Sequence, residues 1–475
     1  MNKTYIENGT VIAWINGAHT VIERGVVVIE GNSIIEVGAH TAPPSASDTR
    51  IDATGRIVMP GFVNTHLHVT DTPYTKGYLE DASNLSPRAN ATNYGTLYKT
   101  LPAVRHAIDP EAQVIASECA FAELARTGST TVVELGYDYE VGGDGDISIT
   151  EQIAQVAMAT GLRCYSGPRY RAMHYGHAPG GKVWYQSYPE NGRRRFRDCV
   201  DFCIDWDGRY DGRLRTLLAP GQIDTCDPDL LRETRRVASA HKLPIQIHAG
   251  QSPNEYERIK TEYGMSTVEY MIDTGLLGPD FMIGHGQILT HDGNIASLTP
   301  SEAAALRDYQ TTVVHLPWVK ARRGGVINSI HKYRQLNIRQ ALGTDTYPFD
   351  MFNDMRMAAT VCRIVEHSIE AATSVDIFTM ATAGGADALG RPDLGRLAVG
   401  CKADVVLVRM DTFKAAPTYD PFKFLVLAAT GEDVDRVLVD GKTIVEGGLV
   451  LAVDMAKVVA RLNNAASRVR ANVAD

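Results

Sequence analysis

Five side chains in this sequence have the types and spacing to hold a metal ion and activate water. His66-Leu67-His68 closes the run Met59-Pro60-Gly61-Phe62-Val63-Asn64-Thr65. In a strand, residues i and i+2 project to one side, so two imidazoles converge at its end. One histidine ends each of two further apolar runs, Leu243-Pro244-Ile245-Gln246-Ile247-His248 and Ile283-Gly284-His285, and Asp345 follows Ala341-Leu342-Gly343-Thr344. Taken singly, each has an ordinary reading. A histidine after an apolar run is more often a satisfied core residue, and an aspartate before a helix serves as its N-cap. Taken together, they form a mixed nitrogen and oxygen donor set.

Such a set needs strands that end at one place. From about residue 59 to 393, eight apolar runs alternate with helical stretches: Gly61 to Thr65, Ser129 to Leu135, Arg163 to Ser166, Arg215 to Pro220, Ile245 to Ile247, Met282 to Gly284, Thr312 to Leu316 and Gln340 to Gly343. This is the pattern of an α/β protein, a (β/α)₈ TIM-type barrel whose chemistry lies at the C-terminal ends of the strands. All five chemical positions fall there. Residues 1–58 read as short strands, Thr10 to Trp14, Gly25 to Glu30 and Ser33 to Val37, with Gly31-Asn32 as a turn. Residues 394–451 are again strand-rich, with Ala403 to Val408 and Val437 to Val439 followed by the turn Asp440-Gly441. Neither segment buries a core alone, so the two are expected to form one discontinuous β-sandwich domain. Residues 452–475 read as a C-terminal helix.

Composition narrows the function classes. A net charge of −9 excludes a dominant basic surface for nucleic acid, and no apolar run approaches the roughly 20 residues that span a bilayer. The first residues, MNKTYIENGTVIAW, lack the apolar core of a secretory signal, which predicts a cytoplasmic protein. Seven scattered cysteines suit reduced, buried thiols. The run Arg193 to Arg197 follows turn-forming residues and is expected on a solvated helix.

Pro-Gly-Phe-Val-Asn-Thr-His66-Leu-His68, His248, His285 and Gly-Thr-Asp345, with Asp393-Leu394-Gly395-Arg396-Leu397-Ala398-Val399-Gly400-Cys401-Lys402-Ala403-Asp404 near the C-terminus, together resemble the amidohydrolase superfamily over nearly the whole chain. The fourth run ends in Ala219-Pro220-Gly221-Gln222, without the lysine that bridges two metals in part of that superfamily, so the resemblance is to its single-metal branch. It implies one divalent ion held by His66, His68, His248 and Asp345. Zinc suits this set, and cobalt, iron or manganese fit it too. The resemblance further implies that Asp345 takes a proton from the attacking water and that His285 hydrogen-bonds that water or the oxyanion; homo-oligomers are common among such enzymes, which makes one an expectation here.

Deaminases of this branch carry a glutamate three positions after the fifth-strand histidine, and here that position is Gln251. Glutamine hydrogen-bonds but does not shuttle protons at neutral pH. His248-Ala249-Gly250-Gln251-Ser252 with Glu255-Tyr256, and Gly343-Thr344-Asp345-Thr346-Tyr347-Pro348, are similar to the phenylurea and molinate (thiocarbamate) hydrolase group. That likeness implies cleavage of an amide, urea, carbamate or thiocarbamate bond in a small, largely apolar substrate. The alternative is a deaminase or dechlorinase of a nitrogen heterocycle of the cytosine, guanine or triazine type, with Glu255 near enough to bear on the question. Gln251, Tyr170 in an aromatic loop that also holds Tyr175, His177, Trp184 and Tyr185, and Trp318 after the seventh run are the expected substrate contacts. Arg322 and Arg323 are expected to be solvated, with one of them available to an anionic group.

Overall fold

The computed structural model describes residues 2–39, 43–76, 98, 101–136, 147–178, 182–325 and 330–473. The side chain of His177 lies outside what is described. All eight apolar runs form parallel strands. Phe62–Leu67, Ser129–Leu135, Arg163–Gly167 and Leu214–Thr216 make one four-stranded arc; Ile245–Ala249, Phe281–His285, Thr312–His315 and Arg339–Leu342 make a second. Parallel bridges Leu218 to Ile245 and Leu67 to Asp345 close the two arcs into a barrel. At the second seam Asp345 N donates to His66 O at 2.9 Å and His68 N to Asp345 O at 3.0 Å, so closure itself fixes three of the five chemical residues.

Alternation along the strands decides what fills the barrel. Val63, Val133, Tyr165, Leu217, Met282, Val314 and Ala341 form one buried cluster inside it, while Phe62, Val132, Cys164, Ile245, Ile283 and Leu342 belong to the larger cluster. The covering helices start where a short polar residue precedes proline. Asp109, Asp227, Ser252 and Thr299 each accept a backbone N–H at the start of Pro110–Arg126, Pro228–His241, Pro253–Tyr263 and Pro300–Asp308. The cap takes an otherwise orphaned donor, and proline at the first helical position forfeits nothing.

The two ends of the chain meet in one nine-stranded sheet, where Arg56–Pro60 pairs in parallel with Lys3–Ile15 and antiparallel with Val405–Arg409. The N-terminal strands run longer than the sequence suggests. Lys3–Ile15 and Ala18–Glu30 are joined at Asn16-Gly17, both at positive φ, and the second strand continues through Gly25. The turns at Gly31-Asn32 and Asp440-Gly441 lie where expected, and the C-terminal helix spans Met455–Asn472. Among the described residues no helix is long and apolar enough to cross a membrane.

Candidate metal centre and active-site cavity

Three histidines are aimed by what holds their far nitrogen. His68 Nδ1 donates to Leu135 O at 2.8 Å, His248 Nδ1 to Gly221 O at 2.7 Å, and His66 Nδ1 to Gln246 Oε1 at 2.5 Å. Each acceptor is a carbonyl oxygen, so Nδ1 carries the hydrogen and Nε2 presents a lone pair. The Nε2 atoms of His68 and His248 lie 3.1 Å apart, and those of His66 and His68 lie 3.5 Å and 3.3 Å from Asp345 Oδ1. Among the described residues, His66 Nε2 and His285 Nε2 are buried with no hydrogen-bond partner. Facing lone pairs at such distances repel unless a cation lies between them.

His66, His68 and Asp345 form one triad of donor atoms within 4.8 Å of one another, and His66, His248 and His285 form another. They share His66 and describe one centre, a site for one divalent metal ion. His285 therefore sits closer to the donor atoms than a purely substrate-facing residue. Burial drives His68, His248 and His285 toward the neutral form, with His285 lowered to about 3. Burial alone would raise the Asp345 carboxyl, but the facing His66 and His68 rings outweigh it and hold that carboxyl well below its usual range. Neutral imidazoles and an ionised carboxylate are the forms that bind metal.

The backbone is bent to bring these groups in. His285 and Asp345 have φ of 78° and 60°, left-handed values that non-glycine residues adopt at a cost. Glycine flanks His66 on both sides. A Cβ at Gly284 would lie 2.8 Å from His66 Cε1, and one at Gly343 2.8 Å from His66 N.

Above the centre opens a cavity whose wall includes Gln222, Gln251, Arg105, Arg169 and Arg323, with Leu101 and Tyr175 as its larger apolar members. Gln251 stands where expected, its Oε1 accepting from Gln222 Nε2 at 3.0 Å. Tyr170 does not line the cavity. Its ring packs edge-on against Phe196 at 5.0 Å and its hydroxyl meets Thr234 Oγ1 at 2.8 Å, because the strand segment Arg169–Tyr170 turns that side chain outward. Trp318 is also absent from the wall; its backbone N–H caps onto Asp354 in the short helix Pro317–Ala321. Of the aromatic loop, Tyr175 reaches the cavity. Arg322 bonds Tyr347 O at 2.6 Å and stacks over that ring, leaving Arg323 at the wall.

The described part of the wall is thus rich in polar and charged groups of both signs, Asp71 and Asp345 beside three arginines, where an apolar one was expected. Sequence reasoning missed Arg105, paired with Asp71 at 2.5 Å, and Arg169, buried beside Glu134, whose carboxyl burial pushes up to about 8. It also missed Gln246. That residue carried a readable signal, a polar side chain two positions before His248 on an otherwise apolar strand.

A closed barrel with this donor set at the C-terminal ends of its strands defines a metal-dependent hydrolase. Residues 57–444 match the family model described as "Amidohydrolase family", and the chain belongs to that family. It is similar to a 5'-deoxyadenosine deaminase of Methanosarcina mazei, 28% identical over 462 residues that cover 95% of each chain. Among solved structures it is similar to a zinc-bound adenosine deaminase from Xanthomonas campestris, with TM-score 0.79, 22% identity and 99% of each chain covered. It is also similar to a zinc-complexed atrazine chlorohydrolase from Arthrobacter aurescens, with TM-score 0.82, 22% identity, and 98% of this chain and 100% of the other covered.

Proposed function

We propose that this protein hydrolyses a carbon–nitrogen bond at a ring carbon of a nitrogen heterocycle, with adenosine derivatives as the substrate class and zinc as the ion. Water and the amino-heterocycle give the oxo-heterocycle and ammonia. The observation that carries the reading is the hydrogen-bonding wall facing the metal centre, where Gln222, Gln251 and Arg105 suit a polar nucleoside better than an apolar aryl urea. The full-length likeness to 5'-deoxyadenosine deaminases supports the same choice over the phenylurea and thiocarbamate likeness.

A bound divalent ion would supply water whose pKa is lowered toward neutrality. Asp345, ionised and within reach of that space, accepts the water's proton and returns it to the departing amine. The neutral His285 ring, with Nε2 unpartnered, is placed to hydrogen-bond the attacking oxygen. Gln251 accepts from Gln222 through Oε1, so its NH₂ is the group offered to a ring nitrogen, which it hydrogen-bonds instead of protonating. Glu255 lies behind that loop. Its carboxyl, which burial raises well above the usual range, accepts from Gly250 N at 2.5 Å and Gln251 N at 3.3 Å and braces the loop that carries Gln251.

One observation favours a second reading, cleavage of an amide, urea, carbamate or thiocarbamate. With Gln251 in place of an acid, a substrate without a ring nitrogen to protonate meets no handicap. The metal-assayed enzyme is therefore to be tested on 5'-deoxyadenosine, adenosine and an aminotriazine beside a phenylurea and a thiocarbamate. Ammonia release from the heterocycles is expected, and turnover confined to the carbonyl compounds would overturn the proposal. Gln251→Glu should raise heterocycle kcat by about tenfold or more, the lower end of what a placed acid contributes, and leave carbonyl cleavage unimproved.

A further inference from the structure

Beside the main cavity lies a second, smaller compartment, sharing Gln251 and Arg323 with it and walled also by Ser252, His285, Gln287 and Lys320. Gln287 is only 4% exposed and its Nε2 has no partner among the described residues. Lys320 adds a cation whose stem is held in place under the following turn, since a Cβ on Gly325 would fall 2.4 Å from Lys320 Cε. No carboxylate is among the described residues of this wall. A buried amide donor beside an ammonium, with no carboxylate among the described residues of the wall, is costly unless a ligand supplies the acceptor.

We infer that this compartment is a carboxylate-binding side pocket, in which Lys320, Arg323 and Gln287 seat an anionic group of the substrate. The inference deepens the hydrolytic reading of the same site by naming a substrate feature. Burial and the neighbouring Arg323 lower the Lys320 pKa, so a bound anion would relieve a charge held at some cost. A carboxylate matches the donors in number and kind: two oxygens accept from the ammonium, the guanidinium and the Gln287 amide.

Calorimetric binding of nicotinate and nicotinamide to the zinc-loaded enzyme tests this without turnover, so it stands or falls separately from the choice of scissile bond. Nicotinate should bind about tenfold or more tightly than nicotinamide, the scale of a charge-assisted hydrogen bond. Lys320→Met and, independently, Gln287→Leu should remove most of that preference with zinc content unchanged, and Lys320→Arg should retain it. Equal affinities, no nicotinate binding, or a preference that survives both Lys320→Met and Gln287→Leu would overturn the inference, the last by placing the carboxylate on the metal.

Discussion

Gln246 acts on both sides of His66, accepting from its Nδ1 through Oε1 and donating through Nε2 to Thr65 O at 2.8 Å. Removing it frees the ring to rotate and leaves Nδ1–H without an acceptor in a buried place. Gln246→Leu is therefore expected to weaken metal affinity by about 10- to 100-fold while the far-ultraviolet circular dichroism stays native. Competition against a chromophoric chelator reads this directly; unchanged affinity would mean that packing alone aims His66. The five donor residues were legible in the sequence because each ends an apolar run, and strand ends converge in a barrel whatever the loops do. The residues that shape the cavity were not. Arg105 and Lys320 lie on short helices and Arg169 on a two-residue strand, where a charged side chain ordinarily faces water, and nothing in their spacing marks them as turned inward. Tyr170 failed in the opposite direction. An aromatic residue near a strand end reads as a wall, and only its outward turn against Phe196 shows otherwise.

At the level of elements, local rules carried most of the reading. Alternation set the barrel strands, and a short polar residue before proline set helix starts such as Asp227-Pro228. The exception was the first hairpin, where Gly25 looks like a break in sequence although pairing on both sides carries the strand through it. Just beyond the Asn16-Gly17 turn of that hairpin, His19 docks the sheet onto the barrel side. Its Nε2 meets Thr382 Oγ1 at 3.0 Å and its ring lies 4.8 Å from Trp14 and 5.0 Å from Phe378. Burial, with the charge of Arg396, lowers its pKa from 6.5 to about 3. The folded state thus refuses a proton that the unfolded chain accepts, so the stability involved is present above pH 6.5 and is lost as pH falls toward 3. The loss should reach about 3 kcal/mol by about pH 4. His19→Gln keeps a partner for Thr382 but does not titrate, and denaturant midpoints measured from neutral pH downward should fall less steeply for the variant. Parallel acid limbs would assign the acid sensitivity to other groups.

On the scale of the whole molecule, the two ends of the barrel are given to different tasks. The C-terminal mouth holds strained backbone, orphaned donors and facing lone pairs, all of which cost stability. The opposite end holds a closed polar knot. Arg163, which begins the third barrel strand, reaches Asp404 Oδ2 at 3.3 Å and Asp440 Oδ1 at 2.7 Å, and Asp440 N donates to Asp404 Oδ1 at 2.8 Å. Asp404 O in turn accepts from Gly61 N at 3.0 Å, at the foot of the strand that carries His66 and His68. The sheet built from both chain ends is thereby tied to the base of the barrel through a guanidinium only 1% exposed. Arg163→Met would fill the volume and leave Asp404 buried without its counter-charge, a change that typically costs about 3–5 kcal/mol. If the two ends are independent, that loss should appear as a lower denaturant midpoint, with zinc stoichiometry and kcat on the best substrate unchanged at temperatures where the variant stays folded. A fall in metal occupancy in the folded variant would instead mean that the knot is transmitted along the first strand to the site, and that the N-terminal sheet is part of what holds the metal centre in register.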